Sequence, residues 1–528
     1  MLFHPSSRRA LLRGGAALGI VGCRPALHTD GPKGGSTGTD TGSPPTHLPA
    51  RPNILFVYAD QHRADVVSGT GNGVAYTPNI DSLIAAGVAF TNTFTNGPSC
   101  RPARFAMMSQ RYPTQTGVWD NFQFTAPDSV SHVRRIRDEA DYFSMVIGKT
   151  HLYDSEVHTD TTISVLQDWG FTDAIEMLGP TEQTIRESRY SDFLTATTPA
   201  GEQDKYSRWT NYVDTTGFLS PPPDSEPWLL ATSDHQDVFT GTVAADWIRN
   251  YNDPRPFYLQ LNFPGPHKPF DSTSEFRALF DPTLVNLPPA ILQTPVDPSP
   301  LVSAMLAQKE QDWDAESAAF LAHTYYGKVS LVDTALGYVL DALEETGQLA
   351  NTWIIYHSDH AEMLADHTLT GKVVFYESAI RVPLVIQPPG GVAPWICTGL
   401  TDTLDVIRTI VEIAGLVHND PLAPGQSLLA KVLAGPGAAD AQVHKSEILS
   451  SNISSTMIRT ATHKLVFDRA LNPPTVTDLF DLVADPSELN NVRIDPAYLD
   501  IADDLLGRLL AVDEIYPPGT GEFGKAPS

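Results

Sequence analysis

The chain has 528 residues, 41% of them hydrophobic and 18% charged, the balance of a folded globular protein large enough for one main domain plus a smaller one, or for two to three domains. Acidic residues outnumber basic ones 62 to 35, a formal net charge of −27, which argues against nucleic acid or an anionic membrane surface as a general partner. The three cysteines, Cys23, Cys100 and Cys397, exclude a disulfide scaffold. A Cys100–Cys397 bridge is formally open, but the surroundings of Cys100 suit a different chemistry.

The N-terminus reads as a targeting segment rather than fold. Ser7-Arg8-Arg9-Ala10-Leu11-Leu12 precedes a small, apolar stretch from Gly14 to Gly22 and resembles a twin-arginine export signal. That stretch is too short to span a bilayer as a helix. Ile20-Val21-Gly22-Cys23 resembles a bacterial lipobox, in which the cysteine is acylated and becomes the new N-terminus; a cleaved signal with an incidental cysteine is the alternative. The signal, 1–23, therefore predicts an exported protein, periplasmic or at the cell surface, touching membrane only through a lipid at Cys23. Residues 24–50 are rich in Gly, Pro, Ser and Thr and cannot bury enough apolar surface to fold, so they read as a disordered tether.

From Pro52 the pattern changes. Asn53-Ile-Leu-Phe-Val-Tyr-Ala59 is a continuous apolar run, the mark of a strand buried on both faces. Similar runs recur at Ser144–Ile147, Phe257–Phe263, Trp353–Tyr356 and Val382–Ile386. A helix is predicted from Asn79 to Gly87, behind Pro78, and apolar periodicity runs through 317–346. Alternating strands and helices predict an α/β sandwich around a large, mostly parallel sheet over 51–435. Past a linker at 436–439, residues 440–528 read as a small antiparallel sheet covered by one helix, Leu499–Val512.

Ligands in open α/β sheets bind at the carboxyl ends of the strands. The first four runs are followed by Asp60-Gln61-His62-Arg63, Gly148-Lys149-Thr150-His151, Pro266-His267-Lys268-Pro269 and His357-Ser358-Asp359-His360. Gly371-Lys372 lies ahead of the fifth. Asp60, Gln61 and Asp359 offer oxygens suited to a hard divalent cation, and His360 adds a nitrogen; zinc fits less well without thiolates or three histidines. Each carboxylate alone reads as a helix cap or a surface ion pair. Their recurrence at strand ends carries the case.

Pro98-Ser99-Cys100-Arg101-Pro102-Ala103-Arg104 places Cys100 at a helix start, where backbone N–H groups and the dipole favour an anion. Arg104 returns to the same face one turn on. Read bare, this is a thiolate nucleophile of low pKa, or a buried free cysteine beside a structural arginine.

Here the chain resembles the formylglycine-dependent sulfatases of the alkaline phosphatase superfamily, whose Cys-x-Pro-x-Arg signature is matched by Cys100, Pro102 and Arg104. The resemblance spans Pro52 to the C-terminus. It takes in Gly148, Lys149, His151 and Leu152; Ser358 to Leu364, with Ala361 where the family often has Gly; Lys372; Tyr376-Glu377 to Arg381-Val382-Pro383-Leu384; and Asp478 to Pro486. It implies an alkaline-phosphatase-like sandwich and a formylglycine made from Cys100 by a maturation enzyme, either formylglycine-generating or anaerobic sulfatase-maturating. Because the twin-arginine route carries folded proteins, that step would precede export. The hydrated aldehyde would attack sulfur with one hydroxyl, assisted by a metal, and expel sulfate with the other. Asp60, Gln61, Asp359 and His360, with the residue-100 oxygen, would hold one cation, calcium first, magnesium or manganese as alternatives. Arg104 would fix the nucleophile, Lys149 and Lys372 would neutralise sulfate, and His151 would act as base. His267 or Lys372 would protonate the leaving alcohol. Many sulfatases have a second Asp at the place of Gln61. The expected substrate is a small-molecule or carbohydrate sulfate ester. The Asp60-Gln61-x-Arg63 pattern also resembles phosphonate monoester and phosphodiester hydrolases of the same superfamily, the competing enzyme reading. A surface-tethered binding protein with a dead site is the reading from another class.

Overall fold

The computed structural model describes residues 51–123, 131–153, 159, 163–216, 228–281, 290–309, 312–417, 419–437, 444–452 and 454–516. The signal at 1–23, the tether at 24–50 and the second half of the linker at 436–439 with the residues up to 443 lie outside them. All described residues belong to the unit Pro44–Ser528.

A nine-stranded sheet forms the centre. Its strands are β1 (Asn53–Asp60), β2 (Val88–Phe94), β3 (Phe143–Gly148), β4 (Asp173–Glu176), β5 (Phe257–Pro266), β6 (Thr352–Ser358), β7 (Arg381–Gln387), β8 (Trp395–Cys397) and β9 (Thr401–Asp402). They lie in the order β4-β3-β5-β1-β6-β7-β2-β8, with β9 beside β2. All pairings are parallel except those of β7 with β6 and β2. The mostly parallel α/β sandwich read from the sequence is the observed architecture.

β1 shows why its run has no polar member. Ile54, Phe56 and Tyr58 pack into one apolar layer, Leu55, Val57 and Ala59 into the opposite one. Side chains alternate across a strand, so covering both faces demands apolar residues at every position. Helix α1 (Pro78–Ala85) covers one face through Ile80, Leu83 and Ile84. On that face too lie α3 (Gln236–Asn250), through Ala244 and Ile248, and α4 (Ala315–Glu345), through Val332, Leu336, Val339 and Leu343. Helix α2 (Cys100–Ser109) packs Phe105 and Met108 on the other face, beside Val406, Ile407 and Ile410 of α5 (Thr403–Ile413). The second sheet is antiparallel, β10 (Glu447–Ser451), β11 (Ser455–Thr460), β12 (His463–Asp468) and β13 (Thr475–Asp481). Leu505 and Leu509 of α6 (Leu499–Ile515) pack on its Ile458, Leu465 and Leu479.

Cys100 and Cys397 are both free and buried, so the formally open bridge is not formed. No described helix is long and apolar enough to cross a membrane. The reversed direction of β7 has a consequence for the site. Its first residue, Arg381, lies at the edge where β1, β3, β5 and β6 end. The segment ahead of β7, carrying Lys372, therefore reaches the same edge as the segments behind the other strands.

Candidate active site

Most of the functional side chains sit where a strand stops. Asp60 ends β1, and Gln61 turns the chain at φ 73°. Gly148 ends β3 at φ 108°, and a Cβ there would run into the Asn262 carbonyl. Only glycine lets the next residues, Lys149 to His151, leave the sheet along this path. Asp359 and His360 follow β6, and Ser358 stitches their turn to the β1 turn by accepting from His62 N–H at 2.9 Å and donating to the Ala59 carbonyl.

Cys100 is the first residue of α2 and is buried. Its Sγ lies 2.8 Å from Lys372 Nζ, 3.1 Å from His360 Nε2 and 3.5 Å from Asp60 Oδ1. Burial and Asp60 push the thiol pKa up, but Lys372, Lys149 and His360 overcome them and bring it below its ordinary value. Arg104, one turn along α2, donates through Nε to Asp359 Oδ2 at 2.8 Å and through Nη2 to Asp60 Oδ2 at 2.9 Å. A third donor, Nη1, reaches the Lys149 carbonyl, and the guanidinium lies over the Tyr58 ring. Lys149 Nζ closes on Asp60 Oδ2 at 2.5 Å. Burial favours a neutral Asp60, yet Lys149, His267, Arg104 and Lys372 together hold it well below the usual carboxylate range.

The ligating atoms of Asp60, Cys100, Asp359 and His360 all lie within 4.8 Å of one another, and all four residues are buried. The Gln61 side-chain oxygen joins them through Lys372, which donates to it at 2.9 Å. Two carboxylates, one amide oxygen and one imidazole fit a hard divalent cation. A thiolate is the one soft member, and an oxygen at that position would make the set uniformly hard.

Beyond the nucleophile a pocket of about 350 Å³ opens, walled by Cys100, Lys149, His151 and His267 among others. The buried Nδ1 of His151 has no hydrogen-bond partner among the described residues, and burial with Lys149, Arg104 and Arg101 keeps the ring neutral. Such a nitrogen can accept a proton. His267 Nδ1 pairs with the Lys268 carbonyl at 2.7 Å, which fixes the ring. The ten positions singled out in the sequence thus converge on one edge of the sheet. Sequence reasoning missed Glu176, Gly179, Glu182 and Arg186, which also line the pocket. Glu176 ends β4, but Asp173–Glu176 is four residues long and carries no readable run.

Comparison with known proteins agrees with this geometry. Residues 52–416 match the family described as Sulfatase, and residues 365–514 match the C-terminal region of N-sulphoglucosamine sulphohydrolase. The choline-sulfatase of Rhizobium meliloti (strain 1021) is 28% identical over 461 residues, 84% of this chain and 83% of that protein. An arylsulfatase of Clostridium perfringens is 24% identical, covering 86% of this chain and 92% of that one. The crystal structure of the phosphonate monoester hydrolase of Agrobacterium radiobacter superposes with a TM-score of 0.70 at 24% identity, covering 88% of this chain and 96% of that one.

Proposed function

The chain belongs to the sulfatase family, the sulfuric ester hydrolases, and on that premise we propose that it cleaves a sulfate ester to alcohol and inorganic sulfate at position 100. The supporting observation is Cys100 at a buried helix start, with the Lys372 ammonium, the His360 imidazole and the Asp60 carboxylate around its sulfur. Position 100, set among the Asp60, Asp359 and His360 donors, suits an oxygen nucleophile, which oxidation of the cysteine to formylglycine supplies. The hydrated aldehyde supplies two hydroxyls at one carbon, one to bond sulfur and one to release it.

The chain's own groups have separable tasks. Arg104 holds residue 100 and both carboxylates in register. Lys149 and Lys372 balance the sulfate oxygens, so a protein of charge −27 keeps its positive charge local. His151 takes a proton at Nδ1 when sulfate is released. The leaving oxygen receives its proton from Lys372 or His267. Asp60, Gln61, Asp359 and His360 would hold one divalent cation, calcium first and magnesium or manganese as alternatives, which supplies Lewis-acid stabilisation. Formylglycine formation requires a maturation enzyme, and export would follow it.

Mass spectrometry of the peptide around Cys100, from cells that contain a maturation enzyme, should show the thiol replaced by an aldehyde oxygen. Turnover of an aryl sulfate should accompany the modified fraction. Steady-state kinetics beside a phosphodiester and a phosphonate monoester separate the competing hydrolase. A large preference for either phosphorus ester, or undiminished turnover in Cys100→Ala, overturns the proposal.

A further inference from the structure

The pocket contains charged groups that sulfate binding leaves unused. Arg186 is half-buried in its wall, and among the described residues its guanidinium makes no hydrogen bond or ion pair. Carboxylates outnumber basic side chains 62 to 35 in this chain, and most of its other arginines meet one. A guanidinium paired with no described carboxylate while facing a ligand pocket is placed to receive an anion from outside. Its planar fork fits carboxylate or sulfate oxygens in pairs.

Two further features describe the rest of the ligand. Phe122 lines the same pocket as a residue 90% exposed, a flat apolar face at the entrance. Its turn is fastened to the nucleophile helix, because Asn121 Oδ1 accepts from Ser99 Oγ and from Arg101 N–H, both at 2.9 Å. Phe122 is thereby held next in sequence to a residue tied to both neighbours of Cys100. Glu182, half-buried, likewise makes no side-chain bond among the described residues and offers two acceptor oxygens to hydroxyl groups. A cationic leaving group would meet the guanidiniums of Arg101 and Arg186 against the Glu182 carboxylate, since burial pushes Glu176 up to about 8 and leaves it neutral at pH 7.

We propose that the pocket takes a sulfated saccharide bearing a second anionic group, a carboxylate or a further sulfate, and that Arg186 binds that group. The ring lies along Phe122, and its hydroxyls donate to Glu182. This assignment rests on the sulfate-ester reading above and narrows it to one substrate class.

The test compares kcat/KM for three esters on the formylglycine-containing enzyme. One is a neutral monosulfated saccharide, the second the same saccharide with a uronic carboxylate or second sulfate, the third a simple aryl sulfate. The dianionic saccharide should exceed the neutral one by about tenfold or more, the worth of one charged hydrogen-bonded contact. Arg186→Ala should collapse that ratio toward one, Arg186→Lys should restore part of it, and Arg186→Glu should invert it. A wild-type ratio near one, or a ratio unmoved by Arg186→Ala, overturns the proposal. Preference for a quaternary ammonium sulfate ester over both saccharides overturns it as well. Aryl sulfate turnover without anion preference defeats this inference alone; absence of turnover on every sulfate ester defeats the sulfatase reading with it.

Discussion

The side-chain oxygen of Gln61 accepts a 2.9 Å hydrogen bond from the Lys372 ammonium, while the amide nitrogen donates to Glu362. One neutral amide thus joins a cation to a buried acid. Glu362 also accepts from the Leu364 N–H at 3.1 Å and from the Gly371 N–H, so it anchors the loop that carries Lys372. A carboxylate at position 61 could still accept from Lys372 but could not donate to Glu362. This is the physical reason that an amide suits a position where many sulfatases have an acid.

Gln61→Glu keeps the shape and places two carboxyls in contact. The pair must then share a proton, which raises its folded-state pKa above the unfolded value. Stability from a raised pKa is present at low pH and is lost as pH climbs through the folded value. The variant should therefore melt below wild type by a margin that is larger at pH 8 than at pH 6, on the order of 2 kcal/mol at the higher pH. Calorimetry at the two pH values checks it; an equal margin at both contradicts the shared-proton account.

Arg104 bridges Asp60 and Asp359 from one guanidinium, with both carboxylates fully buried. Arg104→Lys keeps the charge but has a single donor head and cannot span the two acids. Arg104→Ala leaves two buried carboxylates short of a partner, which costs about 3–5 kcal/mol. Both variants should lose turnover, by about a hundredfold or more if residue 100 shifts by an ångström. In Arg104→Ala, Lys149 and Lys372 still oppose the carboxylates, so the protein should fold with a lowered melting point that added calcium partly restores. A calcium response equal to that of wild type would argue against a role in shaping the cation site.

Much of this fold and site is legible in the sequence because a doubly covered sheet leaves a plain trace. β1, β5 and β6 are mostly apolar and fully buried, and the polar residues that follow their runs at Asp60, His267 and Asp359 are the ones that reach the site. Helices α1, α4 and α6 show through their caps and periodicity. What the sequence hides are elements whose burial depends on remote partners. β2 carries half-buried Thr91 and Asn92 mid-strand, and β8 and β9 span three and two residues. The direction of β7 is set by its neighbours rather than by its own residues. Glu176, Glu182 and Arg186 belong to no motif, and only the folded pocket brings them to Lys149 and Cys100.

Glu176 gives a pH-dependent signal of its own. Its Oε1 accepts from Thr150 N–H at 3.0 Å, supporting the turn between Lys149 and His151, while the buried Oε2 has no partner among the described residues. Burial dominates and raises the carboxyl from 4.5 to about 8, against the smaller pull of Thr150 and Arg104. The folded state thus holds a proton that the unfolded chain releases near 4.5. The associated stability is complete below pH 4.5, declines as pH rises and is gone above about 8. Glu176→Gln keeps the acceptor and cannot ionise. Between pH 6 and pH 9 wild type should lose more stability than the variant, by an amount on the order of 2–3 kcal/mol. Parallel losses in the two proteins would mean that the folded-state titration of Glu176 is not shifted as burial predicts.

The loop that presents His267 is held at both ends by buried groups. Asp237 Oδ1 accepts from Gly265 N–H at 2.7 Å, and Lys328 Nζ donates to the Pro269 carbonyl at 2.7 Å and to Asp271 at 2.5 Å. A Cβ on Gly265 would collide with the Asp237 carboxylate, so Gly265→Ala must push the loop away from α3. Lys328→Met removes the other tie and leaves the Asp271 carboxylate to His235 alone, 3.3 Å away. If His267 serves the leaving oxygen, displacing it should matter most when that oxygen is a strong base. Both variants should therefore lose kcat/KM on an alkyl or saccharide sulfate by about tenfold more than on an activated aryl sulfate, whose leaving group needs no proton. The comparison of the two substrates on one protein preparation removes any shared loss from misfolding. Equal losses on both substrates would assign the loop a structural task and leave Lys372 as the proton donor.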